Sequence, residues 1–408
     1  MPPCNLSSPI GPKRILLLAH NWDYLPLASY SIGLRLSKRG YNVSLLIPSE
    51  KASFRLRKET VNSLFTLYFC PTILRGGLKK GSDPFDLMMR MYLVSKLQYD
   101  VVFAFDSRPT VILPAVLGRM LKKVPLIIYW TDWFGRGGII SERSGKLYRF
   151  FFEKIETFFE EYFCRYADSY AVICNSLEKR LKALGFCKDI HFLPFGCDNP
   201  TVLDVDTNQI RNKLMLPQGK ALIGCVGSLS VNDADLLFKS FNLLKEKIEV
   251  QLVLIGKNIF RDRYEIPEGV IETGKLSDEH LEYYVRSCDL MVIPLRNNIA
   301  NNGRWPSKLN SYLVSGKPVL STNISVVAQL LKIAKFGDVA EDSPDVFSQE
   351  MYRLLTDKAL LGTYGRNAIQ LASGYLSWPT IMNELEKILL TTIEKHKELN
   401  SINKRKEH

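Results

Sequence analysis

Short apolar runs recur along the chain, each followed by a turn and then by apolar residues at every third or fourth position. That pattern predicts strands alternating with helices. Arg14–Leu18 reads as a strand, and the loop from His20 to Pro26 leads into a helix over Ala28–Lys38. Gly40 closes that helix and Tyr41–Ile47 forms the next strand, so the chain opens as one βαβ unit of a parallel sheet. Val101–Phe105 and Leu126–Trp130 read as strands around a helix over Val111–Lys122. A long aromatic-rich helix is expected over Gly145–Tyr166, then strands at Ser169–Ile173 and His191–Leu193. The polar stretch Asp198–Gly219 breaks the pattern, and the alternation restarts with strands at Ala221–Val226, Gln251–Ile255, Val270–Glu272, Leu290–Ile293 and Val319–Ser321. Amphipathic helices over Leu360–Ser373 and Pro379–Leu399 end the chain. The expectation is α/β: two similar doubly wound domains facing a cleft, at 1–200 and 220–375, with a linker at 201–219 and a C-terminal helix and basic tail at 376–408.

A length of 408 residues fits two domains of roughly 200 residues each. Eight cysteines without a CxxC pair read as reduced, buried thiols of a cytosolic protein. Met1–Lys13 lacks an apolar core of signal length, and no stretch reaches the roughly 20 apolar residues of a membrane span. The net charge of +12 calls for acidic partners. It is concentrated at Lys51, Arg55, Arg57, Lys58, Arg75, Lys79 and Lys80, against only Glu50 and Glu59, and again in the tail from Lys395. Neither an RNA-type aromatic signature nor zinc-finger spacing is present, so nucleic acid is not the expected partner.

The richest stretch is Gly303-Arg304-Trp305-Pro306-Ser307-Lys308, running on to Gly316-Lys317-Pro318-Val319. Pro306 suits a first helical position, and the first-turn amides with Ser307, Arg304 and Lys308 form a site suited to an anion, with a nucleotide diphosphate as first candidate. Gly316 then ends the helix. In the first half, His20 and Asp23 follow the first strand, at the sheet edge where ligands approach. Asp132 ends an apolar strand and enters a loop whose glycines allow close backbone approach; Arg136 would pair with it if its role is structural. Asp106-Ser107-Arg108 borders the same edge. In the Gly145–Tyr166 helix, three-and-four spacing of the aromatics makes core packing the default, with a face resting on anionic lipid as the alternative.

From about residue 14 to 395 the chain resembles the GT-B glycosyltransferases, specifically the family-4 retaining type that uses nucleotide sugars. The resemblance is carried by Pro194-Phe195-Gly196-Cys197-Asp198, Gly227-Ser228-Leu229, Leu254-Ile255-Gly256-Lys257, Cys288-Asp289-Leu290 with Ile293-Pro294-Leu295, and the Pro306–Val319 motif. Tyr129-Trp130-Thr131-Asp132-Trp133-Phe134-Gly135-Arg136-Gly137-Gly138 is similar to a bacterial surface-polysaccharide branch of that family. The resemblance implies two Rossmann-like domains, with C-terminal helices packing back toward the first. It implies a nucleotide-diphosphate sugar as substrate, no cofactor, and transfer of a hexosyl group with retention to a glycan or polyprenyl-linked acceptor. Donor-side positions are Gly227, Ser228, Lys257, Glu272, Gly274, Gly303, Pro306, Ser307 and Ser311; acceptor-side positions are His20, Asp23, Asp106 and Arg136; and Asp132, Arg304 and Lys308 carry the chemistry. No DxD-type carboxylate pair stands in the expected loops, so no metal is required. The expected location is the cytoplasm, at the inner face of the plasma membrane, with Lys51, Arg55, Arg57, Lys58, Lys79 and Lys80 against anionic lipid. The chain also departs from the family. Its two usual glutamates, eight positions apart, read here as Gly303 and Ser311, and the loop Ser228–Asp233 has no cation. Those departures keep open a scaffold that has lost its chemistry, or a sugar-nucleotide epimerase.

Overall fold

The structure, a computed structural model, describes residues 13–21, 28–74, 79–142, 145–186, 188–200, 206–227, 229–256 and 265–406. Two compact units emerge, one of residues 1–193 with 382–408 and one of residues 194–381.

The first unit is built on eight strands: β1 (Arg14–Leu18), β2 (Asn42–Pro48), β3 (Arg57–Asn62), β4 (Phe65–Cys70), β5 (Val101–Phe105), β6 (Leu126–Trp130), β7 (Ser169–Val172) and β8 (Ile190–Phe192). Their order is β3-β4-β2-β1-β5-β6-β7-β8. All neighbours are parallel except β3, which runs antiparallel to β4. Central strands such as β5 and β6 are buried throughout because helices cover both faces, hence their unbroken apolar runs. The β3–β4 pair was not expected, since Arg57-Lys58-Glu59-Thr60-Val61-Asn62 has no apolar alternation. It is an exposed edge, where charged side chains discourage pairing with another chain. Two cations of the basic segment belong to it, with Arg57 stacked 3.6 Å from the Phe69 ring and Lys58 above Tyr68. Residues 382–408 join this unit through Arg39, which pairs with Glu386 and donates to Asn383 at 2.8 Å.

The second unit carries β9 (Ala221–Val226), β10 (Val250–Ile255), β11 (Val270–Glu272), β12 (Leu290–Ile293), β13 (Val319–Thr322) and β14 (Gly337–Ala340), all parallel in the order β11-β10-β9-β12-β13-β14. Ile223, Leu237, Phe238, Phe241, Leu252, Val292 and Phe347 fill one side of this sheet. Within the polar stretch between the apolar halves, Thr207–Lys213 is helical. Gly316, at φ +63°, ends the helix Lys308–Val314 as expected, with Lys317 N–H reaching the Tyr312 carbonyl and Gly316 N–H the Leu313 carbonyl. The six described cysteines are buried and unbridged, and no described helix is long and apolar enough to cross a membrane.

One device fixes strand register in both units. Asp100, Asp168 and Asp289 each stand one residue before a strand, and each donates its own N–H to a carbonyl on the neighbouring strand: Arg14, Leu126 and Leu222. The carboxylate then accepts the N–H of that same residue, at 2.8, 2.9 and 2.8 Å, and an arginine completes the clamp: Arg14, Arg119 and Arg211. At Asp168, burial works against ionisation, but the Arg119 and Leu126 hydrogen bonds prevail and hold the pKa below the usual range. A depressed folded pKa means stability that is present above the unfolded value and lost as pH falls through the folded one. Asp168→Asn should therefore cost about 1.5–3 kcal/mol in urea unfolding at neutral pH, and the deficit should vanish in acid below the ordinary carboxylate range.

Candidate active site at the carboxyl edges of the two sheets

Within each unit the parallel strands deliver their carboxyl ends to one edge, where that unit's described candidate residues are found. In the second unit β9 and β10 run directly into Gly227 and Gly256, and Gly274 lies just past the end of β11, all three at positive φ. Among the described residues, side chains at 227 and 274 would meet no atom within 4 Å, and Gly227 N–H is held by the Ile255 carbonyl at 2.8 Å. Glu272 ends β11 and is half-buried. Ser228 and Lys257 lie outside the described residues.

The Gly303–Lys308 segment comes back to the same edge. Gly303 closes the short helix Ile299–Asn302. Pro306 is not at the first helical position: the helix begins at Lys308 after Ser307, whose side chain makes no capping bond. The Pro306 carbonyl instead accepts Leu309 N–H, and the turn is set by Trp305, whose indole N–H donates to Asn310 at 2.8 Å. Tyr312, fully buried, accepts the Val226 N–H at 2.8 Å and ties the helix to the end of β9. Lys308 Nζ thereby comes to 3.9 Å from Cys225 Sγ on β9, while Ser311 is half-exposed on the same helix.

Arg304 donates to Asn301. Asn301 is buried and in turn donates to the Arg296 carbonyl and to Asp233, in the first turn of the helix Val231–Lys245. Among the described residues no carboxylate pairs with Arg304 or Lys308, whereas Arg296 is neutralised by Asp235 and Asp342 at 2.9 and 2.7 Å. Asp233, Arg296 and Asn301 were not anticipated. Arg296 follows the Ile293-Pro294-Leu295 strand end, and a cation at that position was the available signal.

In the first unit the edge is organised by buried acids. Asp106, at φ +66° and 1% exposed, accepts Thr131 N–H and hydroxyl at 2.7 and 2.8 Å and Asp132 N–H at 3.2 Å. Its other oxygen lies 3.6 Å from His20 Nδ1, and the His20 ring meets Phe134 edge-on. Burial pushes the Asp106 carboxyl up to about 6 against those donors. Asp132 is half-buried at the end of β6. Arg136 is largely exposed and pairs with Glu161, not with Asp132. Asp23 lies outside the described residues.

The loop after β6 is tied down from the aromatic helix, Lys146–Phe158, which widens over Phe159–Phe163 into a π-type turn. That extra residue per turn aims Glu160 inward, where it accepts Phe134 and Gly135 N–H and pairs with Arg180 at 3.0 Å. Glu153 and Thr157 accept the Gly137 and Arg136 amides. Burial raises Glu160 to about 7 even beside Arg180. The expectation that the aromatic stripe packs in the core is overturned, because these acids occupy the inward face and turn Phe150, Phe151 and Phe158 outward. Acids at positions 153, 156 and 160, interleaved with the aromatics, were the signal for that inversion.

Two parallel, Rossmann-like units define the GT-B glycosyltransferase fold. Residues 220–357, all within the second unit, match the family profile described as "Glycosyl transferases group 1". Among solved structures the chain is similar to sucrose-phosphate synthase of Thermosynechococcus elongatus (TM-score 0.70, 14% identity, 94% of this chain and 100% of that one). It is also similar to Anabaena Alr3699/HepE in complex with UDP and glucose (0.67, 13%, 93% and 100%). A third is WaaG, a glycosyltransferase of lipopolysaccharide biosynthesis (0.64, 15%, 89% and 97%). At those identities the likeness is one of fold. A Bacillus subtilis (strain 168) relative, a candidate teichuronic acid biosynthesis glycosyltransferase, is 28% identical over 89 residues, a segment spanning 22% of each chain.

The raised Asp106 pKa makes a signed prediction. The folded chain takes up this proton near pH 6, before the unfolded chain does near its ordinary value of about 3.9. The contribution of Asp106 to stability therefore grows as pH falls through that window and shrinks as pH rises. Measured by urea unfolding, the stability of the wild type relative to Asp106→Asn should rise as the pH falls from about 6 to about 4. A difference independent of pH contradicts the assignment.

Proposed function

We propose that the protein is a glycosyltransferase of surface-polysaccharide biosynthesis, moving a hexosyl group from a nucleotide-diphosphate sugar to a glycan or lipid-linked acceptor with retention. The observation that carries this reading is the pair Arg304 and Lys308, two half-buried cations with no carboxylate partner among the described residues, beside the glycine edge of β9. In the transfer, the bond from the anomeric carbon to the diphosphate breaks and a bond to the acceptor oxygen forms on the same face. The acceptor proton passes to the departing phosphate. Negative charge grows on the diphosphate in the transition state, and preorganised cations lower that barrier most. Lys308 acts as a point charge and Arg304, oriented by Asn301, as a planar fork, taking the place of a metal or cofactor. Ser307 adds a hydroxyl donor, Ser311 faces the ribose, and the backbone after Glu272 reads the base. On the first unit, Asp132 orients the acceptor hydroxyl, with Arg136 at the rim. The work is done at the inner face of the plasma membrane, where the basic segment from Lys51 to Lys80 is drawn to anionic headgroups.

One observation favours a second reading of the stereochemistry. The buried Asp106 beside His20 Nδ1 is suited to support His20 as a base that removes the acceptor proton, and attack from the opposite face would then invert the anomeric carbon. The anomer of the product, read by NMR, separates the two.

A panel of nucleotide sugars should contain a donor that stabilises the chain, by about 2.7 kcal/mol at one hundred times its Kd. With that donor, the double variant Arg304→Ala/Lys308→Ala should lose at least about 100-fold in kcat/KM while its circular dichroism is unchanged. Full turnover in the double variant, or no stabilisation by any donor, sinks the reading.

A further inference from the structure

The aromatic helix of the first unit is amphipathic in the reverse of the usual sense. Leu147, Phe150, Phe151, Ile155, Phe158 and Tyr162 stand three or four residues apart and are all exposed, from 38% for Tyr162 to 73% for Leu147. Every carboxylate of the same stretch faces the protein. Glu156 and Glu160 are fully buried against Arg108 and Arg180, Glu153 accepts the Gly137 amide, and Glu161 pairs with Arg136 and Arg180. What remains outside beside the apolar ridge is cationic. Lys154 Nζ lies 3.8 Å above the Phe150 ring and the Arg165 guanidinium 4.1 Å above Tyr162, so each cationic head rests on an aromatic face of the ridge, with Lys154, Arg165 and Lys146 all exposed. The nearest exposed acid along the chain is Glu142, before the helix begins.

A second helix of the unit repeats the arrangement. Pro84–Lys96 exposes Phe85, Met88 and Tyr92, while its only acid, Asp86, is buried on Arg90. The crossovers from β4 to β5, β5 to β6 and β6 to β7 all move the same way across the sheet. Right-handed connections therefore put their helices on one face, so both ridges belong to one layer.

We propose that this face of the first unit docks on a lipid bilayer with anionic headgroups, Phe150, Phe151 and Phe158 entering the interface and Lys146, Lys154 and Arg165 meeting the phosphates. Among the described residues neither ridge carries a fully exposed carboxylate, which matches a flat, negatively charged surface. A second copy of this chain would bring the same cations face to face. The proposal stands on this surface alone, and its test needs no sugar donor, so its failure and that of the transfer reading are distinguishable.

The full chain is floated with vesicles of phosphatidylcholine alone and of phosphatidylcholine with phosphatidylglycerol. The wild type should float with the anionic vesicles, be released by high salt, and leave neutral vesicles largely unbound. Phe151→Ser/Phe158→Ser should lower the bound fraction at least about tenfold, since these side chains are exposed and the melting curve should not move. Equal flotation of wild type and variant overturns the proposal, as does no binding to anionic vesicles. A wild-type dimer that becomes monomeric in the variant, by light scattering, overturns it in favour of self-association.

Discussion

The reciprocal bonding between an aspartate just before one strand and the first residues of its neighbour is what the rest of the structure depends on. Asp100, Asp168 and Asp289 each lock a pair of parallel strands at the amino edge, with an arginine across the carboxylate. A slip of one residue would turn every buried side chain of a strand to the opposite face, so a clamp at the start fixes the whole register. With register set there, the carboxyl ends of the parallel strands of each sheet arrive together at its far edge, and the loops that follow them are free to differ. The same clamp in both units leaves the same opportunity twice.

At that far edge the electrostatics change sign. The amino-edge acids Asp100 and Asp168 are held below the usual carboxylate range by arginine and backbone donors, whereas Asp106 and Glu160 are pushed up by burial. Burying a carboxylate is costly unless donors meet it, and here the donors are loop amides: Thr131 and Asp132 for Asp106, Phe134 and Gly135 for Glu160. The acids thus give the loop after β6 its shape. In the second unit Asp233 plays the matching part, holding Arg296 N–H and Asn301, and through Asn301 it fixes Arg304. The acids are consumed in building, and among the described residues none of them pairs with Arg304 or Lys308.

Much of this was legible in the chain. β1, β5, β6, β9 and β12 lie where apolar runs placed them, because a strand buried on both faces has few polar positions to blur its ends. The closing roles of Gly40 and Gly316 followed from their left-handed backbone. Elements decided by tertiary context were hidden. β3 is a polar edge whose partner, β4, supplies its pattern, and the Pro306 turn is set by Trp305 donating to Asn310, whose amide in turn reaches the Gly196 carbonyl far along the chain. The aromatic helix was misread because spacing alone does not say which face is inward; the interleaved glutamates, bonded to loop amides far along the chain, decide it. Arg304 and Lys308 could be named from sequence, but that no described carboxylate pairs with them, while Asp235 and Asp342 pair with Arg296, could not.

The central claim is that the second unit leaves two cations for a diphosphate at the end of β9. Calorimetric titration of the full chain with UDP, GDP and ADP, each beside its parent nucleoside, tests it most directly. One diphosphate should bind at a single site, and its nucleoside should bind at least about tenfold more weakly, because the charged contacts to Arg304 and Lys308 are then missing. Equal affinity for a diphosphate and its nucleoside, or no binding by any of the three, would contradict the account.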